Sequence, residues 1–175
     1  MGLAQFIAIL RGINVGGNRS ISMAEQKSCF ESMAFTDVRV VLQTGNVIFR
    51  SFVTSIGDLT ATIEAGLSAQ FNYPAKVIVL SMDVLKAMEV AYPFPRGGSE
   101  VHDYLVFLSK PLEWPELATA PNEEWISIHE SVVYWKVSKG MTLKSEFSKL
   151  LSKAKYKPFN TVRNINTVNR VLSAG

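Results

Sequence analysis

From Gln5 to Leu80 the apolar residues change period in a fixed order, and that order limits the folds open to the chain. Gln5 to Leu10 is a nearly continuous apolar run, as expected of a strand in a sheet centre. Ser22-Met23-Ala24-Glu25 then reads as a capping box, opening a helix with Met23, Phe30, Met33 and Ala34 on one stripe. Val38 to Leu42 and Val47 to Phe49 are rich in β-branched residues and flank Thr44-Gly45, a hairpin turn. Ser55-Ile56-Gly57-Asp58 starts a second helix, with Leu59, Ile63, Leu67 and Phe71 recurring every fourth residue. Lys76 to Leu80 supplies a fourth strand. Strand, helix, strand, strand, helix, strand is the ferredoxin-like order.

That topology has a geometric consequence. Its first two strands run parallel, with the third between them running the other way. The end of the first strand and the turn between the second and third then share one edge, which makes Arg11 to Asn18 a neighbour of Thr44 to Asn46.

After a third helix from about Met82 to Ala91, the stretch Tyr92-Pro93-Phe94-Pro95-Arg96-Gly97-Gly98-Ser99 reads as a linker. The pattern then repeats. Strands are expected at Tyr104 to Leu108, Trp125 to Ile128 and Val132 to Val137, with a short helix near Glu116. A helix with Leu143, Phe147, Leu150, Leu151 and Ala154 on one face follows, then an extended piece at Thr161 to Arg163 and a last helix from Thr167. The expected class is α+β: two tandem ferredoxin-like units with mainly antiparallel sheets. They would occupy residues 1–92 and 102–175, joined by a linker over 93–101.

Composition sets limits on function. At 47% hydrophobic and 19% charged residues the chain is globular. No apolar run approaches the ~20 residues that a membrane span needs. Met1 to Gln5 carries no basic region of the kind a signal peptide has, and Phe6 stands where a myristoylation motif requires Ser or Thr. A single cysteine, Cys29, excludes an internal disulfide and suits a reducing compartment, so a cytoplasmic protein is expected. Net charge is +3, yet from Lys136 onward nine Lys or Arg face only Glu146, giving that segment +8 and the remainder −5. Such a split marks either an anionic partner or a lysine-studded solvent face.

Three segments are rich in Gly, Asn and Arg. In Ile9 to Asn18, I-L-R-G-I-N-V-G-G-N, a strand delivers Arg11, Gly12, Asn14, Gly16, Gly17 and Asn18 into one loop. Successive glycines let backbone amides converge on an anion, although the loop matches neither a Walker loop nor G-x-G-x-x-G. The second segment is Thr44, Gly45 and Asn46, which by default is a turn. The third holds Arg163, Asn164, Asn166 and Thr167, where Asn166 reads as a helix N-cap and Asn164 as a turn former. A guanidinium beside a helix N-terminus suits carboxylate or phosphate. The two histidines, His102 and His129, and Cys29 are not spaced as metal ligands, and no G-x-S-x-G elbow occurs. No metal, cofactor or catalytic residue is expected. Trp125, Tyr134 and Trp135 could stack bases on an open sheet but read first as core.

Leu10 to Gly17 with Ile21, Met23, Ala24 and Glu25, then T-G-N-V-I-F from Thr44 to Phe49, then T-V-R-N-I-N-T-V from Thr161 to Val168 resemble a bacterial family of uncharacterised proteins, domain of unknown function 1697. The resemblance runs from end to end and implies two α/β units in tandem. It implies no activity. This chain has Thr44 where the family usually has Ser, Ile165 where it has Trp, Gln26 where it has Leu, and Ala34 where it has Gly.

The leading functional expectation is a module binding a phosphate-bearing small molecule, a nucleotide or a nucleic acid, at Arg11 to Asn18 with Thr44 to Asn46, aided by Arg163 to Thr167. The alternatives are a small enzyme acting on a phosphorylated or carboxylated metabolite, and a structural or oligomerising protein whose motifs only shape turns.

Overall fold

The computed structural model describes residues 2–13, 20–119 and 125–175, the side chains of 118 and 119 excepted. Its described residues form two four-stranded antiparallel sheets and five α-helices, an α+β architecture. By contact the chain divides into a first unit, Met1–Ala87 with Asn169–Gly175, and a second, Met88–Val168.

In the first unit β1 (Ala4–Arg11) lies between β3 (Asn46–Ser51) and β4 (Lys76–Ser81), and β2 (Thr36–Val40) is the outer strand beyond β3, giving the order β2-β3-β1-β4. The central position explains the unbroken apolar run of β1, since both of its faces are buried. Phe6, Ala8 and Leu10 share one core with Val47, Phe49, Val77 and Val79. That core is closed by α1 (Met23–Ser32) through Cys29 and Phe30, and by α2 (Ile56–Phe71) through Leu59, Ile63 and Leu67.

The capping box at Ser22 is formed. Glu25 donates its amide to Ser22 Oγ at 3.2 Å, and Glu25 Oε2 accepts the Ser22 amide at 2.8 Å. The stripe of α1 differs from the expected one. It runs through Gln26, Cys29 and Phe30, whereas Met23 is exposed. Ala34 lies past the helix end, where its amide donates to Glu31 O, the Phe35 amide donates to Phe30 O, and Ala34 has φ +64°. This is a Schellman stop, whose left-handed residue suits glycine.

The second unit repeats the scheme. β5 (Val101–Leu108) sits between β7 (Val132–Ser138) and β8 (Asn160–Asn164), with β6 (Trp125–Ile128) outermost, in the order β6-β7-β5-β8. A 3-10 turn at Pro115–Thr119 and α4 (Glu146–Leu151) take the two helical positions. Trp114, Trp135, Phe147 and Tyr156 fill its core, with the Trp114 and Tyr156 rings stacked at 4.5 Å. α4 is shorter than its apolar spacing suggests. Ser145 caps it by accepting the Ser148 amide at 3.1 Å, so Leu143 precedes the helix and is 86% exposed, and Ala154 follows it, also exposed. Tyr134 and Trp135 are buried, as core aromatics, while Trp125 is half exposed.

Two helices complete the chain: α3 (Met82–Val90) and α5 (Ile165–Ala174). The boundary between the units falls within each of them.

Candidate functional site

β1 ends at Arg11, and the backbone there is tied to the β2–β3 turn. Leu10 donates its amide to Gly45 O at 2.8 Å, and Ile9 stands opposite Asn46 in the sheet register. Gly45 has φ +80°, and a Cβ there would lie 2.6 Å from Ile13 Cδ1 and 2.7 Å from Leu10 Cβ. Only glycine fits this turn, and the fit seats Ile13 on it. Arg11 and Gly12 are therefore carried past Thr44 and Gly45 at one end of the first sheet. Asn14, Gly16, Gly17 and Asn18 lie outside the described residues.

The members of this constellation differ in role. Asn46 is 1% exposed, and its Nδ2 donates to Val41 O at 2.9 Å and to Thr44 Oγ1 at 3.1 Å. Its side chain closes the turn from within. Thr44 and Gly12 face solvent, and Arg11 is half-buried. Burial pulls the Arg11 guanidinium below its ordinary value, an effect opposed by the negative charge of Glu64.

Glu64 and its partner Lys76 were not legible as site residues in the sequence. Arg11 stands opposite Lys76 across the β1–β4 ladder. Lys76 Nζ donates to Glu64 Oε2 at 2.7 Å, and Glu64 Oε1 accepts the Val77 amide at 3.2 Å. One carboxylate from α2 thus sits at the strand edge beside two cations. The expected topology gives strand order without register, and it is the register that pairs Arg11 with Lys76.

The third segment belongs to the second unit. Arg163, on β8, is partly buried, and its Nη1 donates to Thr161 Oγ1 and Val162 O, both at 2.9 Å. Burial pushes this guanidinium down to about 10. Asn164 Oδ1 accepts the Asn166 amide at 2.9 Å, so the residue that caps α5 is Asn164, and Asn166 lies in the first turn. Asn166 is exposed and Thr167 half-buried.

Not every member of the basic run from Lys136 faces solvent. Lys136 is only 8% exposed: it donates to Pro95 O and lies 3.6 Å from Asp103 Oδ1, which also accepts Tyr92 Oη at 2.6 Å. Among the described residues no three His, Cys, Asp or Glu side chains are grouped as metal ligands.

The model of the family described as protein of unknown function (DUF1697) matches residues 3–134. The chain belongs to this family. No curated relative matches it. Among solved structures, a conserved bacterial protein from Streptococcus pneumoniae aligns over 99% of both chains with a TM-score of 0.79 at 20% identity, a likeness of fold. No described helix is long and apolar enough to cross a membrane.

Proposed function

We propose that this member of the family binds a phosphate-bearing ligand at the end of its first sheet. The ligand would be held by Arg11 and Gly12, the loop residues Asn14, Gly16, Gly17 and Asn18, and the Thr44-Gly45 turn. The observation that carries the reading is the Leu10–Gly45 hydrogen bond. It supports a half-buried guanidinium brought to the Thr44-Gly45 turn, where Gly12 and Thr44 face solvent, a setting that suits an oxyanion. A nucleotide or a nucleic acid would present such a group. We further propose that both units are ferredoxin-like, since each strand order follows from strand-helix-strand-strand-helix-strand connectivity. A cytoplasmic setting fits the single buried thiol of Cys29.

A second reading has its own observation. Asn46 and Asn164 use their side-chain amides inside a turn and at a helix start, which supports motifs that serve folding alone. A thermal-shift screen of nucleotides and phosphorylated metabolites separates the two. Under the binding reading at least one compound raises the melting temperature, and Arg11→Ala removes the effect; a ligand at ~100 times its dissociation constant adds about 2.7 kcal/mol. Absence of any shift across the screen favours the scaffold.

A further inference from the structure

We propose that Glu64 is a built-in competitor for the phosphate at this site and that Lys76 is a second cation available to it. The inference rests on the phosphate reading above and extends it to residues on α2 and β4. Its basis is geometric. Arg11 and Lys76 are register partners on adjacent strands, which places two cationic residues at one corner of the sheet. The Glu64 carboxylate is anchored there twice, to Lys76 Nζ at 2.7 Å and to the Val77 amide at 3.2 Å. The negative charge of Glu64 also opposes the effect of burial on the Arg11 guanidinium.

Arg11, Lys76 and Glu64 together therefore carry two positive charges against one negative. It attracts anions, but a carboxylate already occupies part of the attracting field. An arriving phosphate faces repulsion from Glu64 and draws Lys76 toward itself. Glu64→Gln removes the charge and retains a carbonyl oxygen for the Val77 amide, so the strand edge keeps its acceptor. Lys76 is then released from its ion pair. Through solvent, the repulsion lost is worth roughly a three- to tenfold change in affinity.

Isothermal titration with inorganic pyrophosphate at low ionic strength tests this on the full chain. Wild type should bind, Glu64→Gln should bind roughly three- to tenfold more tightly, and Lys76→Met should bind more weakly. Glu31→Gln, which removes an equal charge from an acid paired with Lys27 on α1, should leave the affinity unchanged and so excludes a general charge effect. Melting temperatures without ligand establish that each variant is folded. If wild type binds and Glu64→Gln binds equally or less tightly, the competitor role is overturned while the phosphate reading stands. A gain shared by Glu31→Gln overturns it too. If wild type, Glu64→Gln and Lys76→Met all fail to bind, the phosphate reading falls and this inference with it.

Discussion

The amide of Leu10 and the carbonyl of Gly45 are 2.8 Å apart, although more than thirty residues of chain separate them. This bond ties the last residues of a central strand to a hairpin turn, and it depends on a glycine. Gly45→Ala would combine a left-handed backbone with a Cβ 2.7 Å from Leu10 Cβ. Both are unfavourable, and Leu10 Cβ cannot move without its strand. A loss of at least ~1–3 kcal/mol is expected, read from the denaturant midpoint. A midpoint within experimental error of wild type would contradict the packing of Ile13 on this turn.

Ser22→Ala should cost roughly 0.5–2 kcal/mol, because it removes the acceptor for the Glu25 amide in the capping box. The same equilibrium unfolding measurement applies. An unchanged midpoint would mean that the start of α1 is held by other groups.

Ala34→Gly should stabilise the protein, by about 1 kcal/mol. Ala34 holds φ +64° in the Schellman stop after α1, a conformation that carries a steric penalty for any residue with a Cβ. Loss of stability would show that the entropy glycine adds to the unfolded chain outweighs the relief.

The sequence disclosed the strand and helix order well, because period-2 and period-3.6 patterns are local properties. It also placed Arg11 beside Thr44-Gly45, since that adjacency follows from strand order alone. What it hid depends on tertiary contact. Met23 has the spacing of a core residue, yet Gln26 takes the buried position, and its Oε1 has no hydrogen-bond partner among the described residues. Leu143 fits the apolar period of α4, but the Ser145 cap starts the helix after it. Lys136 looked like part of a solvated basic run and is instead buried against Asp103. Charge in a sequence does not report burial.

The Tyr92–Asp103–Lys136 group gives a pH dependence. Burial, followed by the Asp103 carboxylate, raises Tyr92 above its ordinary value of 10.0. The neutral phenol is favoured in the folded state, so at pH above about 10 the unfolded chain releases the proton first. Stability is full below that pH and declines as pH rises beyond it. Tyr134 and Tyr156 are shifted in the same direction, so Tyr92→Phe should reduce the alkaline slope without abolishing it. An identical slope in Tyr92→Phe would place the loss elsewhere.

Removing one member of the buried ion pair should be more damaging than removing both. Lys136→Met leaves Asp103, 7% exposed, without its cation, and about 3–5 kcal/mol of stability should be lost. Lys136→Met with Asp103→Asn should recover part of it, as read from chemical denaturation. Additive losses in the double variant would contradict the coupling.

The measurement that bears most directly on the phosphate site is an amide chemical-shift titration of the isotope-labelled protein with inorganic pyrophosphate. Arg11, Gly12, Thr44 and Gly45 should respond together and saturably, with the same apparent dissociation constant, and the response should vanish in Arg11→Ala. Shifts confined to the exposed lysines of the second unit, or no saturable shift at the Arg11 end of the first sheet, would contradict the account.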